Sequence, residues 1–261
     1  MLQIVVPMAG RGSRFAKVGY ELPKPLIDVC GVPMIQMVVS NLRPKCDHRF
    51  IFLCLQEHLE KYPIPSILNE VAPNHIVVPV EGVTQGAACT VLLAHEYINS
   101  NDPLMIANSD QWVDFSIDRY LDAMEDRNLD GLIMTMWADD PKWSFVRLDD
   151  AGEITEVVEK KVVSNEATVG IYNFKRGRDF VSAAESMIEK DLRVNNEFYV
   201  APAYNELIQN GQQIGYVNVG RERDGMYGIG IPEDLEYFKQ CPVSSKAIAV
   251  LNRFKSHQRA A

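Results

Sequence analysis

Apolar positions fall into short continuous runs alternating with stretches of helical spacing, and this alternation is regular over the first 110 residues. Leu2–Pro7 is apolar but for Gln3 and closes on a glycine-rich stretch, as a strand covered on both faces would. The pattern then predicts a helix from Val32-Pro33 to Leu42 with proline in its first turn. Strands are expected at Arg49–Leu55, His75–Val80 and Leu104–Ala107, with helices at Pro63–Val71 and Gly86–Ile98 between them. Strand–helix alternation of this kind builds right-handed βαβ units around a mainly parallel sheet. Ligands of such sheets bind beyond the carboxyl ends of the strands, here after the first and fourth.

The second half is patterned differently. Short strands are expected at Leu132–Trp137, Phe145–Leu148, Ile154–Glu159 and Thr168–Phe174, as antiparallel pieces at a sheet edge. Helices at Gly177–Lys190 and Phe198–Gln209, a strand at Ile214–Asn218 and helices at Glu233–Gln240 and Lys246–Phe254 follow. A frayed tail is expected from Lys255. The 261 residues suit one α/β domain: a nucleotide half over 1–115, an acceptor half over 116–242, and a C-terminal helix and tail over 243–261.

Composition narrows the function. A net charge of −9 opposes general nucleic-acid binding, which selects basic surfaces. No run approaches a membrane span, and the apolar run at Leu2–Val6 is too short for a signal core. A cytoplasmic protein is expected, with no membrane partner; homo-oligomerisation stays open. The five scattered cysteines lack ligand spacing, and three lie in apolar surroundings that predict buried thiols. His48, His58, His75, His95 and His257 likewise form no ligand pattern.

The chemistry concentrates in Pro7-Met8-Ala9-Gly10-Arg11-Gly12-Ser13-Arg14-Phe15 and in Leu22-Pro23-Lys24-Pro25-Leu26. Glycines after a strand let backbone N–H groups approach a polyphosphate. Arg14 offers a planar fork for phosphate oxygens, and flanking prolines hold the Lys24 ammonium in place. A dinucleotide fingerprint would need glycine at position 15, where Phe15 stands, and a P-loop would need Gly-Lys-Ser/Thr. Asn108-Ser109-Asp110 follows a buried strand, where a carboxylate suits Mg²⁺, although an aspartate there could simply cap a turn.

The GxGxR and LPKPL elements together resemble the sugar-phosphate nucleotidyltransferases. That resemblance implies a Rossmann-like, GT-A type α/β fold: a mixed, mainly parallel sheet flanked by helices. It also implies transfer of NMP from an NTP to a small phosphorylated acceptor, with release of pyrophosphate. The polyphosphate would lie over Gly10, Arg11 and Gly12, with Met8, Ala9 and Ser13 also at the nucleotide, Arg14 on the β- and γ-phosphates and Lys24 on the α-phosphate. Thr84, Gln85 and Gly86 would receive the base, Asn108 and Ser109 would complete the nucleotide site, and Asp110 would hold Mg²⁺. Glu159, Lys160, Gly170, Tyr172 and Glu197 would face the acceptor. One departure is visible: Gly228 stands where the family has a second metal-binding aspartate, and Asp224 is the nearby candidate to replace it. The opening stretch looks most like members linked to capsule and surface polysaccharides, which favours CTP. Two other functions fit a similar fold. A glycosyltransferase would carry an Asp-x-Asp pair where this chain has Asn108-Ser109-Asp110, and a non-catalytic nucleotide sensor would not need Arg14, Lys24 and Asp110 all intact.

Overall fold

A computed structural model describes residues 1–260, with side chains to Ser256. In chain order its strands are β1 (Leu2–Pro7), β2 (Asp28–Val29), β3 (Val32–Pro33), β4 (His48–Leu55), β5 (Ile76–Val80) and β6 (Leu104–Ala107). There follow β7 (Gln111–Val113), β8 (Gly131–Trp137), β9 (Ser144–Leu148), β10 (Ile154–Glu159), β11 (Glu166–Phe174), β12 (Ile214–Glu222) and β13 (Gly225–Gly228). All but the β2–β3 hairpin join one sheet in the order β5-β4-β1-β6-β11-β8-β12-β13-β7, with β9 and β10 branching from β11. From β5 through β6 the pairing is parallel, and strands from both sides of residue 116 share the sheet.

Residues alternate between two cores along each central strand. Ile4 and Val6 of β1, Phe50, Phe52 and Cys54 of β4, and Leu132, Met134 and Met136 of β8 pack on one face. Val5, Ile51, Leu53, Leu55 and Ile133 pack on the other. Covering both faces requires apolar side chains at consecutive positions, which is why the runs are continuous.

Several elements differ from expectation. β11 is no edge piece: it runs antiparallel between β6 and β8, and buries every residue from Ala167 to Phe174. Val32-Pro33 pairs with Asp28-Val29 as a hairpin, so the helix starts at Met34 with Pro33 as its cap. The helix expected over Gly86–Ile98 is two, Ala87–Leu92 and His95–Ile98. Between them the Leu93 and Ala94 N–H groups reach back only three residues, to Thr90 and Val91, a 3₁₀-type tightening that ends the first helix. The helix Ile117–Asp126, rich in charged residues, escaped the apolar pattern; Ser116 caps it through the Arg119 N–H. The C-terminal helix runs Pro242–Ala260, so the tail expected from Lys255 is helical as far as 260. Lys255 Nζ donates to Gln36 Oε1 at 2.8 Å and Glu70 Oε2 at 2.9 Å. Position 261 and the His257 side chain lie outside the described residues.

Of the five thiols only Cys54 is fully buried, and burial pushes it up to about 12; Cys30 and Cys46 are exposed. Among the described residues no helix is long and apolar enough to cross a membrane.

Phe52 lies fully buried at the centre of β4, with its ring centroid 5.7 Å from that of Phe50. Phe52→Ala should cost about 3–5 kcal/mol, the range for emptying an aromatic core site. Urea denaturation measures it, and a loss below about 1 kcal/mol would mean the site collapses or the strand is misplaced.

Candidate active site

Because β1 and β6 are parallel neighbours (Val5 opposite Ile106), the loops leaving their carboxyl ends emerge side by side. The first loop is anchored by the Met8 N–H on the Leu53 carbonyl and by the buried Met8 and Ala9 side chains. It turns at Gly12, whose φ of +61° suits glycine, and whose missing Cβ leaves room for the Lys24 side chain at 3.2 Å. Gly10, Arg11, Ser13 and Arg14 are exposed, and nothing in the protein stands within 4 Å of where a Gly10 Cβ would be. Lys24 starts a single 3₁₀ turn, held by buried Pro23, Pro25 and Leu26.

These anchors aim Lys24 at the second loop. Its Nζ lies 2.8 Å from Asp110 Oδ2, and both side chains keep a partly open face, 21% and 29% exposed. Ser109 beside it is buried, and Asn108 is exposed. A third segment supports Asp110 from below: the Ile229 N–H donates to the Asp110 carbonyl at 2.9 Å. A Cβ on Gly230 would overlap the Asp110 carboxylate, so glycine at 230 is the space this carboxylate needs. Gly228 is opposite Gln111 in the β13–β7 ladder, and Asp234 Oδ2 approaches to 3.7 Å of where its Cβ would be. Asp234 also accepts from Arg223 Nη2 at 3.0 Å.

Asp224 does not join this group. It precedes β13, beyond the end of the ladder that pairs Met226 with Val113, and so lies at the far end from Asp110; its side chain is 82% exposed. Among the described residues no cluster of three histidines, cysteines or carboxylates forms a metal cage. What Asp110 offers is one half-exposed carboxylate beside a glycine-lined space, a donor set that suits a cation shared with phosphate oxygens and water.

The antiparallel strands build an adjoining cavity of about 220 Å³. Its walls include Asn108, Glu159, Lys160, Gly170 and Tyr172, so four of the five residues expected at the acceptor meet there. β9 pairs with β10, bringing Ser144 opposite Glu159, and the Ser144 hydroxyl donates to Glu159 Oε2. Burial raises the Glu159 carboxyl above its ordinary value, and this hydrogen bond only partly offsets the effect. Tyr172 and Thr168 share a hydroxyl–hydroxyl bond of 2.9 Å on the cavity floor. Lys160 Nζ donates to the Tyr199 hydroxyl at 2.5 Å, and chiefly that bond holds the ammonium above its usual range. Glu197 is not in the wall, yet its charge acts on Glu159, Lys160 and Tyr199. Two buried donors nearby have no protein partner: Trp143 Nε1, from a wall residue, and Gln111 Nε2, whose other amide atom lies over Gly170 beside Asn108.

Thr84, Gln85 and Gly86 lead into the helix Ala87–Leu92. The Thr84 hydroxyl donates to the Gly86 carbonyl at 2.9 Å, while the Gln85 side chain is exposed. At Gly86 (φ +131°) the missing Cβ makes room for the Phe198 backbone. Ser144, Tyr199 and Gly230 were absent from the candidate residues. Ser144 and Tyr199 become visible only through strand pairing and loop closure, whereas the Gly228-Ile229-Gly230 pair is a signal the sequence does carry.

A glycine loop and a lysine–aspartate pair thus meet at the carboxyl ends of parallel strands of an α/β sheet, with a cavity beside them. The nucleotidyl transferase family profile matches residues 4–221, and the chain belongs to that family. Among curated relatives, the mannose-1-phosphate guanylyltransferase catalytic subunit beta of Dictyostelium discoideum is 22% identical over 249 residues, covering 88% of this chain. That match spans only 64% of the relative's length. A UTP–glucose-1-phosphate uridylyltransferase of Haloferax volcanii is 23% identical, over 92% of this chain and 96% of its own. Among solved structures, a nucleoside-diphosphate-sugar pyrophosphorylase from Vibrio cholerae superposes with a TM-score of 0.77 at 24% identity, over 91% of this chain and all of that one. The inositol-1-phosphate CTP transferase of T. maritima gives 0.69 at 16% identity, over 97% and 96%. At these identities the structural likeness establishes the shared fold.

The raised Glu159 carboxyl has a consequence for stability. A group whose folded pKa is raised contributes fully only below its unfolded pKa, and that contribution is lost as pH rises through the folded value. Glu159→Gln should therefore be more stable than wild type near about pH 7, with the difference vanishing near about pH 4, where both side chains are neutral. Denaturation midpoints at the two pH values check this; an equal offset at both would mean the carboxyl titrates normally.

Proposed function

We propose that the protein transfers a nucleoside monophosphate from an NTP to a small phosphorylated acceptor, releasing pyrophosphate. The observation that carries this reading is the Lys24–Asp110 pair, 2.8 Å apart between the glycine loop and the Lys160 cavity. In this reading the N–H groups of residues 8–13 and the Arg14 guanidinium hold the β- and γ-phosphates, and Lys24 meets the α-phosphate. Thr84, Gln85 and Gly86 flank the base. Lys160, with Glu159, Gly170, Tyr172 and Glu197 around it, receives the acceptor. The orphaned donor Trp143 Nε1, on a residue of the cavity wall, supports an acceptor that brings its own oxygens into the cavity.

An acceptor phosphomonoester has a second pKa of about 6, so its oxygen is largely ionised at neutral pH. That oxygen attacks the α-phosphorus as the α–β bridging bond breaks, and pyrophosphate leaves. No side chain need remove a proton, and among the described residues no histidine lines the cavity. The protein's work is alignment and neutralisation: Lys160 holds the nucleophile, and Lys24 faces the charge that builds at the α-phosphate. Asp110 would hold Mg²⁺, which supplies further charge neutralisation on the polyphosphate. Asp234, beside Gly228, is the next carboxylate along that wall.

The partner nucleotide and acceptor are finer assignments. The relatives' names span guanylyl, uridylyl and cytidylyl transfer, and CTP is favoured by the look of the opening stretch. A role in capsule or surface-polysaccharide precursor synthesis, in the cytoplasm where NTPs are made, fits the same resemblance. The test is a pyrophosphate-release screen of the four NTPs against sugar 1-phosphates and non-sugar phosphomonoesters. Release that needs both substrates supports the reading, and release from NTP alone, or none with any pair, contradicts it.

Lys24→Ala should lower turnover by ~10²-fold or more, the scale for losing one preorganised charge donor. Near wild-type turnover in the folded variant would remove Lys24 from the reaction. Asp110→Asn should raise the Mg²⁺ concentration needed for half-maximal rate, read from metal titrations; an unchanged requirement would move the ligand elsewhere. Lys160→Ala should chiefly raise the acceptor KM, by roughly 10- to 150-fold for a lost hydrogen bond to a charged group. If steady-state kinetics show only the NTP KM moving, the acceptor cavity is misassigned.

A further inference from the structure

Between the helix Gly177–Glu189 and the 3₁₀ turn Ala201–Ala203, the chain forms a small hairpin that touches both halves of the site. Val194 and Glu197 exchange backbone hydrogen bonds of 3.0 Å each, and Asn195 and Asn196 between them have φ of 49° and 63°. That is a two-residue turn with both central residues left-handed, which asparagine tolerates better than most. The asparagines are thus accounted for by the turn. The residues that follow carry the contacts.

Phe198 is the joint. Its N–H donates to the Gln85 carbonyl at 2.8 Å, and its own carbonyl accepts from the Ala88 N–H at 3.0 Å. A Cβ on Gly86 would overlap the Phe198 N, C and O atoms, so the two backbones touch with no side chain between them. The Phe198 ring is fully buried in a separate small apolar cluster with Ala88 and Met187, and the Arg193 guanidinium lies 4.5 Å from its centroid. Directly after it comes Tyr199, whose hydroxyl holds Lys160 Nζ; directly before it comes Glu197, whose charge reaches Glu159 and Lys160.

We infer that Phe198 is a positioning residue that seats the hairpin on the Gln85–Ala88 backbone, so that Tyr199 presents Lys160 to the acceptor cavity. The inference rests on the proposed role of Lys160. The two sides of the joint are unequally held. Ala88, Thr90 and Val91 are buried in the body of the protein, whereas Leu192, Asn195 and Glu197 are exposed. Loosening the joint therefore displaces the hairpin and leaves the nucleotide-side segment in place. A residue packed behind the nucleotide segment thereby governs the acceptor.

Two measurements test this on the full chain. In hydrogen exchange, Phe198→Ala should deprotect the Val194, Glu197 and Phe198 amides and the Ala88 amide that donates to Phe198, while those of 90–92 keep wild-type protection. Loss extending equally to 90–92, or loss at none of these amides, would overturn the proposed joint whatever the enzyme's activity. In steady-state kinetics, Phe198→Leu should raise the acceptor KM by about tenfold, the low end for a misplaced charged hydrogen bond, and Phe198→Ala by more. NTP binding measured calorimetrically without acceptor should stay within about twofold of wild type. Tyr199→Phe should raise acceptor KM without changing exchange at 194–199. An acceptor KM unchanged in both Phe198 variants, or NTP binding that weakens in step with it, overturns the positioning role. A wild-type protein that turns over no NTP–acceptor pair fails the parent reading instead, and leaves the exchange result to decide the joint.

Discussion

The contact between Lys24 and Asp110 organises the rest of the site. As a partly exposed ion pair it stabilises the fold by no more than about 1 kcal/mol, so its importance is one of position. Three separate segments converge on it. The glycine turn at Gly12 admits the Lys24 stem, the prolines on either side of Lys24 hold its backbone, and Gly230 clears space for the Asp110 carboxylate. In the free protein the two charges neutralise each other. In the proposed reading, an arriving polyphosphate would give Lys24 a stronger anion to meet, and Asp110 would then be free to hold a divalent cation. Opposite charges arranged in advance would let the site accept a highly charged substrate with little reorganisation.

The sheet explains why this arrangement can be held in place. Its parallel half, β5-β4-β1-β6, is apolar on both faces and delivers two loops side by side at one end. β11, running the opposite way beside β6, carries Gly170 and Tyr172 to that same end and so sets the acceptor cavity against the nucleotide loops. The hairpin joined at Phe198 closes the remaining side. In the proposed reading, strand register would set the glycine loop, Asp110 and the cavity against one another, and the buried Phe198 joint would hold the exposed hairpin beside them.

The parallel half was legible because doubly covered strands are apolar at nearly every position: Leu104–Ala107, and Leu2–Pro7 apart from Gln3, match their expected bounds. The glycine loop, Lys24 and Asp110 could be singled out only in combination, since each alone has an ordinary structural reading, and the structure brings Lys24 and Asp110 into contact. Legibility fell where long-range pairing decides. Thr168–Phe174 was expected at an edge, because a run of apolar residues does not state which strands flank it, and it lies in the middle. Phe198 has the apolar character of a helix start, yet its backbone is taken by Gln85 and Ala88, and the helix proper begins at Tyr204. Asp224 was the nearest acidic residue in sequence to Gly228, but four residues of extended chain carry it the length of the β7–β13 ladder away from Asp110.

The proposed reaction is a single in-line displacement at the α-phosphorus, with the acceptor's own phosphate as nucleophile and no covalent enzyme intermediate. The most direct measurement is the stereochemical course at that phosphorus, using an NTP made chiral there by sulfur substitution and an acceptor identified by pyrophosphate release. One direct displacement predicts inversion of configuration in the product. Retention would require two displacements through a nucleotidylated side chain, and would contradict the roles given to Lys24, Asp110 and Lys160.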